Sequence, residues 1–415
     1  MKTTTGCFRT TSTDALQHET QLLPIELELR KQITKYLTCI QTLPRNHPIK
    51  KCLEKSKRYW NINQKRTFIS YITDTIEEIH AYIKPPWWTP INLTMQIAKM
   101  PKDQVKAQHE SSFIEHMHTR TTLCIYTDGS GIQKHIGASA HSPTTNSMTH
   151  AYLGKEDNTN VYAAELTGIH LGIKMAETSL PQYNKCIIYV DNQSSIQAIN
   201  TRRQQLAQYI VQHILDDLEE LQQKRPNLNF IIEWVPGHMD IAGNDKADEE
   251  AKKAALNQPQ GAQIHSSHQL KSAQNTRINA NITTNAKNAW NQGKANARLL
   301  RKISRPQRCK TGVELYGKLT RKEIINLIRL RTGHCKLNIY LSKRKIVEDP
   351  ECECGHGIET VKHFLLLCPK YEEQRSELRK EVGDRNMRLE NLLGDPKIVR
   401  NTLEFVEKTK RFNFE

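Results

Sequence analysis

Over the first eighty positions the apolar residues recur at intervals that suit helices, and from position 121 onward they gather into short unbroken runs that suit buried strands. Leu22, Leu23, Ile25, Leu27, Leu29, Ile33, Leu37 and Ile40 give an imperfect helical spacing punctuated by Pro24, Pro44 and Pro48, which predicts a mostly helical stretch over residues 20–80. Pro85, Pro86 and Pro90 break any helix there, and the adjacent Trp87 and Trp88 read as a hydrophobic clasp on a neighbouring domain more readily than as a base-stacking pair. Residues 99–118 are polar and His-containing, and suit a linker.

From Thr121 the period changes. Leu123 to Tyr126 reads as a buried strand ending at Asp128-Gly129, followed by short strands near 135–141 and 148–154. Asn158 to Asn160 can cap a helix whose apolar positions Leu166, Ile169, Ile173 and Ala176 step by three and four. Cys186 to Val190 is a second buried strand, a short helix can start near Ser194, Leu206 to Leu221 mark a longer helix, Phe230 to Val235 a final strand, and Asn244 to Leu256 a last helix. The order βββαβααβα predicts a mixed-sheet α/β domain over residues 119–257. Beyond it, residues 257–300 are rich in Asn, Gln, Ala and Ser and read as a linker passing into a polar helix around Ala286 to Leu300. An amphipathic basic helix then runs from Leu319 to Arg331 and closes at Gly333. The expected segments are thus 1–118, 119–257, 258–318 and 319–415.

A chain of 415 residues has room for two or three such domains. Its formal charge of +16 points to a polyanionic partner, and the distribution of that charge says more than its total. Lys and Arg outnumber Asp and Glu 17 to 11 in residues 1–118 and 31 to 17 in 258–415, but are outnumbered 12 to 16 in 119–257. No apolar run approaches the roughly 20 residues that span a bilayer, and the first residues have no signal core, so a soluble intracellular protein without a membrane partner, nuclear or cytoplasmic, is expected.

Four acidic motifs lie within the acidic third: Tyr126-Thr127-Asp128-Gly129-Ser130-Gly131, Ala164-Glu165-Leu166, Tyr189-Val190-Asp191-Asn192-Gln193-Ser194, and Asn244-Asp245-Lys246-Ala247-Asp248. Any one alone is a turn signal or a solvated carboxylate. As a set they suit phosphodiester cleavage, in which two divalent ions activate a water and hold the charge on the leaving oxygen, and which therefore needs several carboxylates pointing into one place. Oxygen ligands without Cys or His favour Mg²⁺ or Mn²⁺ over zinc. Asp128 and Asp191 end two strands, where open α/β sheets place their sites, and Glu165 and Asp248 fall on helices packed against that sheet.

These blocks, together with Trp234-Val-Pro-Gly-His238-Met-Asp-Ile-Ala-Gly-Asn244, resemble the catalytic blocks of type 1 ribonucleases H over residues 119–257. The resemblance implies a ribonuclease H-like mixed five-stranded sheet flanked by helices, with mainly helical N-terminal and C-terminal extensions. It also implies an endonuclease that cuts the RNA strand of RNA/DNA hybrids and leaves 3′-hydroxyl and 5′-phosphate ends. Asp128, Glu165, Asp191 and Asp248 become the catalytic ligands of two Mg²⁺ or Mn²⁺ ions, with Asp245 the fallback for the fourth. His238, in a Gly-containing loop, is implied to help proton transfer or product release, and Gly129, Ser130 and Gln193 to contact the hybrid's backbone. The sequence departs from cellular relatives in one respect: the helix from Gln204 to Lys224 carries Asp216-Asp217-Leu218-Glu219-Glu220 rather than a basic grip, so the basic flanks would have to hold the phosphates.

In the last segment Cys352, Cys354, His363 and Cys368 offer a tetrahedral Cys₃His set for a structural Zn²⁺, with His356 and Cys335 as substitutes. The run from Leu330 through Cys368-Pro369 resembles the tail located after the ribonuclease H domain in non-LTR retrotransposon polyproteins. The N-terminal segment, Phe8 to Leu16 with Thr42 to Pro48, is similar to the segment just after their reverse transcriptase domain. No polymerase aspartate pair is present, since Leu215-Asp216-Asp217 lies mid-helix. The chain therefore reads as the C-terminal part of such an element, with a reverse transcriptase chain as a partner. Two rival readings stand beside it: a catalytically idle nucleic-acid-binding remnant that uses its basic tail, and a DNA-cutting member of the same nuclease fold.

Overall fold

A computed structural model of the chain describes residues 1–53, 55, 76–81, 91, 93–179, 182–201, 203–256, 269–292, 298–303 and 314–412. Trp87 and Trp88, and the first part of the expected linker after residue 256, lie outside the described residues. The chain divides into two compact units, Arg30–Ala280 and Met1–Leu29 with Asn281–Glu415. This division crosses the expected segments at both ends: the first 29 residues go with the C-terminal part.

After a single helical turn at Lys2–Thr5, the chain runs through α1 (Thr13–Thr20), α2 (Ile25–Gln41), β1 (Leu93–Gln96) and α3 (Lys102–His118). A meander of β2 (Thr122–Ile132), β3 (His135–Ser142) and β4 (Ser147–Lys155) comes next, then α4 (Val161–Ser179) and β5 (Lys185–Val190). The unit closes with α5 (Gln193–Thr201), α6 (Gln208–Lys224), β6 (Asn229–Trp234) and α7 (Ala242–Leu256), and α8 (Lys271–Gln292) comes after it. The strands form one mixed sheet in the order β1-β6-β5-β2-β3-β4. β1, β6, β5 and β2 run parallel, while β3 and β4 are antiparallel to their neighbours.

The expected order over 119–257 is present, and the sheet has six strands rather than five. The extra strand, β1, comes from just before the segment read as a linker, and α3 fills most of that segment. α3 escapes the periodicity because it buries only Val105 and His109. The polar helix expected from Ala286 instead starts at Lys271.

Period-two alternation sorts the central strands onto two faces. Leu123 and Ile125 of β2 and Cys186, Ile188 and Val190 of β5 join α4 and α6 in the main core. Cys124, Tyr126, Ile187 and Tyr189 face the other way, with Ala247 of α7 and Phe113 of α3. Segments outside 119–257 close the unit. Glu77 is fully buried, and its two carboxylate oxygens accept from Ala207 N (2.7 Å) and Lys271 N (2.8 Å), which ties the starts of α6 and α8 together. Asn160 caps α4 by accepting from Ala163 N (2.9 Å) while its amide donates to Ser272 (3.1 Å).

In the other unit α9 (Arg298–Ile303), α10 (Arg321–Thr332), α11 (Asn338–Lys343), α12 (Glu372–Val382), α13 (Leu389–Gly394) and α14 (Val399–Lys408) surround a core of Leu300, Leu327, Leu330, Phe364, Leu393 and Phe405. α10 begins with a capping box formed by Thr320 and Glu323, and it ends at left-handed Gly333, the closure its sequence predicts. Arg331 of this helix is buried, and its guanidinium donates to Glu19 of α1 at 2.9 Å. Breaking that pair from either side would leave an uncompensated buried charge.

Candidate active site

Pairing of β2 with β5 stops at Thr127 and Val190, so Asp128 and Asp191 come directly after the last paired residues of two adjacent parallel strands. β2 continues past Asp128 against β3 alone. Glu165 lies in the first turns of α4, and Gly129 brings the two elements together: a Cβ on Gly129 would sit 2.3 Å from Glu165 N. Only glycine allows that approach. One carboxylate oxygen from each of Asp128, Glu165 and Asp191 lies within 4.8 Å of the others.

This is an electrostatically costly arrangement. Burial first, then the charges of Asp191 and Asp248, pushes the Asp128 carboxyl up to about 7. Burial, then Asp128 and Asp191, takes Glu165 to about 9. Asp191 is raised as well, chiefly by burial, although a hydrogen bond from Asn244 Nδ2 (3.3 Å) and the nearby His238 oppose the shift. Asp128 Oδ2 and Glu165 Oε2 are buried without a hydrogen-bond partner. Carboxylate oxygens of like charge, converging and unsatisfied, are the donor set a hard divalent cation requires.

Asp248 is half-buried on α7, outside the three-carboxylate group, and is paired with Lys252 at 2.5 Å. Its charge acts on both Asp128 and Asp191. Asp245 is exposed and acts on Lys252. His238 lies in the loop before α7, exposed and with a left-handed backbone (φ 57°). Ser130 and Gln193 are half-buried, at the outer part of β2 and the first residue of α5, whereas Gly129 is buried against α4. Three contributors escape the sequence reading: Asn192, which bonds the Glu165 side chain, Asn244 and Lys252. All three neighbour a motif carboxylate or lie four residues from one, the only local signal they carry.

The second cluster is local. A short hairpin, bridged between Glu351 and Ile358 and closed by Cys352 N to Gly357 O (2.9 Å), carries Cys352 and Cys354. A π-helical turn, His363–Leu367, then brings His363 and Cys368 round to them. Cys352 Sγ lies 3.7 Å from Cys368 Sγ, and Cys354 Sγ 3.3 Å from His363 Nε2, and all four ligand atoms lie within 4.8 Å of one another. The buried Arg375 of α12 donates to Leu365 O (3.1 Å) and Cys368 O (2.6 Å), bracing the turn from behind. His356 is outside the cluster, bonded to Cys354 O (2.6 Å), and Cys335 is buried outside it too. Three soft sulfurs and one imidazole are a donor set that fits tetrahedral Zn²⁺.

Residues 120–256 match the family model described as RNase H. A Retrovirus-related Pol polyprotein from type-1 retrotransposable element R1 of Bradysia coprophila is 48% identical over 44 residues, which is 11% of this chain and 4% of that protein. The chain thus matches only a small part of that relative's length. Among solved structures, RNase H1 from the halophilic archaeon Halobacterium salinarum NRC-1 is similar over 32% of this chain and 96% of its own, with 14% identity and a TM-score of 0.25. The N-terminal RNase H domain of rv2228c from Mycobacterium tuberculosis, solved as a fusion with maltose binding protein, is similar over 33% and 94%, with 18% identity and a TM-score of 0.25.

Proposed function

Residues 120–256 being a ribonuclease H domain, we propose that this chain is an endonuclease that hydrolyses the RNA strand of RNA/DNA hybrids by two-metal-ion catalysis. The observation that carries the reading is the convergence of Asp128, Glu165 and Asp191 within 4.8 Å, with Asp128 Oδ2 and Glu165 Oε2 buried and unpartnered. Two Mg²⁺ or Mn²⁺ ions would activate the attacking water and hold the charge on the leaving oxygen, giving 3′-hydroxyl and 5′-phosphate ends. Asp128, Glu165, Asp191 and Asp248 are the proposed ligands. The exposure of Asp245 favours Asp248 as the fourth, with Lys252 as its counter-charge until a cation arrives. Asn244 orients Asp191 by its hydrogen bond. His238, in its loop and within electrostatic reach of Asp191, is suited to carry a proton at the leaving oxygen or to speed product release. Gly129, through its backbone, with Ser130 and Gln193, would meet the hybrid's backbone.

The basic residues of 1–118 and 258–415 would supply the phosphate contacts that an acidic domain lacks. The Cys352, Cys354, His363 and Cys368 cluster would hold a structural Zn²⁺. The match to a retroelement polyprotein supports an origin in such an element and a reverse transcriptase as working partner. Among the described residues no helix is long and apolar enough to cross a membrane, and the place of action proposed is nuclear or cytoplasmic.

The deciding test is cleavage of a labelled RNA/DNA hybrid and of a DNA duplex by the full chain with Mg²⁺ or Mn²⁺, beside Asp128→Asn. Cutting of the hybrid's RNA strand alone, lost in the variant, is expected. No cutting, with salt-sensitive binding retained, would replace the reading with an idle nucleic-acid-binding remnant. Cutting of the DNA duplex would point to a transposase-like relative.

A further inference from the structure

The helix α3 precedes the residues that match the ribonuclease H family, yet it reaches the underside of the acidic site. His109 of α3 is buried, and its Nε2 lies 2.9 Å from the hydroxyl of Tyr126. Its Nδ1 is buried without a partner, so Tyr126 is the one hydrogen-bonding contact of the ring among the described residues. The imidazole also stands edge-on to Tyr126 (centroids 5.8 Å, 84°) and to Tyr189 (4.6 Å, 83°). Phe113, one turn on, makes edge contacts with the same two rings.

Those two tyrosines are register partners on β2 and β5, and their rings stack at 4.8 Å. Side chains two apart on a strand share a face, so the residues next above them are Asp128 and Asp191. The Tyr126 ring also fills the space over Gly243 in the first turn of α7, where a Cβ would come 2.2 Å from Cε2. α7 carries Asp248 further along. One aromatic floor thus touches β2, β5 and α7, the elements that bear three of the four proposed ligands.

We propose that His109 is a positioning residue for the carboxylate cluster: by holding the Tyr126 hydroxyl it fixes the ring that spaces Asp128 from Asp191 and seats α7. Carboxylates that repel one another drift apart unless their supports are rigid, and small displacements at a catalytic centre are expensive. A phenol hydroxyl bonded to one buried partner is such a support, since turning the ring strands both polar groups. The helix read as a linker is, on this inference, part of the nuclease.

The inference rests on the acidic cluster being the catalytic centre, and the test separates the two. In the full chain, His109→Phe and Tyr126→Phe each keep a ring in place and delete the bond. The double variant deletes both polar groups, and His109→Gln offers the hydroxyl another partner. Each protein is measured for hybrid cleavage, for Mn²⁺ affinity by calorimetry without substrate, and for thermal midpoint.

Each single variant should lower kcat by about tenfold with KM for the hybrid unchanged, because near-attack geometry rather than substrate binding is disturbed. Mn²⁺ affinity should fall several-fold in the same proteins. In the double variant the thermal midpoint should recover, as no polar group is left stranded, while kcat and Mn²⁺ affinity stay low. His109→Gln should restore most of both. If Mn²⁺ affinity and kcat instead return with the thermal midpoint in the double variant, or never fall in folded single variants, His109 only packs the core and the proposal is overturned. Should His109→Phe fail to fold, Tyr126→Phe removes the same bond and decides. A wild-type chain that neither cleaves nor binds Mn²⁺ would instead sink the catalytic reading itself.

Discussion

The two groups of possible metal ligands are built in opposite ways. Asp128, Glu165 and Asp191, which converge within 4.8 Å, and Asp248, proposed to join them, come from the ends of two strands and from two helices of the packed sheet. There the fold holds together charges that would rather separate. Cys352, Cys354, His363 and Cys368 all come from one hairpin and the π-helical turn after it, elements too short to be stable alone. There the ligands must hold the fold. The difference teaches which site would tolerate lacking a metal: the acidic centre should gain stability when its charges are cut, whereas the Cys/His hairpin should lose its structure.

Removing zinc is the harshest way to break this comparison. With Zn²⁺ in the proposed site, a chelator strong enough to strip it, or Cys368→Ser, would remove binding energy on the order of 10 kcal/mol that counts as folding energy. Limited proteolysis should then open residues 340–371 while the nuclease unit still melts cooperatively, and an unchanged digest would refute the ligand set. Next in size is Asp128→Asn, expected to slow hybrid cleavage by on the order of 10³, or roughly 4 kcal/mol, with the fold intact. Gly129→Ala should cost about 1–3 kcal/mol in urea unfolding, because the new Cβ must push α4 and Glu165 off β2. A neutral result would mean that α4 is loosely seated.

The smallest effect is the most specific. Without Mg²⁺ or Mn²⁺, burial and the neighbouring carboxylates push the Asp128 and Glu165 carboxyls up to about 7 and about 9, above their ordinary values of 3.8 and 4.5. The unfolded chain releases these protons first, so the stability they contribute is whole below about pH 4 and is lost as pH rises through 7 and 9. In buffer without added divalent ions the nuclease unit should therefore be less stable at pH 8 than at pH 5. Asp128→Asn should flatten that slope and raise stability at pH 8. A wild-type slope of the opposite sign would show the carboxylates to be well solvated.

Legibility in the sequence divides along the same line. The Cys/His set is legible because its chemistry is contiguous, and the strand-end aspartates because Asp128 and Asp191 each close an unbroken apolar run. β1 is not, since four residues of alternating half exposure carry almost no pattern. α3 hides its role in one buried histidine among polar neighbours, a residue that periodicity counts as surface. The partnership of Glu19 with Arg331 spans 312 residues, and no local rule reaches so far. Sequence alone does not decide between Asp245 and Asp248, because both lie on one helix. Only exposure separates them.

At the margin of the sheet, β1 acts as a cover strip. Its Leu93–Gln96 backbone pairs with Phe230–Glu233 of β6, a strand whose side chains belong to the core. A fragment trimmed to residues 120–256 begins after β1 and uncovers that row of amides and carbonyls, and a long apolar edge recruits strands from other molecules. Such a fragment should self-associate in proportion to its concentration, and adding back residues from 91 onward should return it to a monodisperse state.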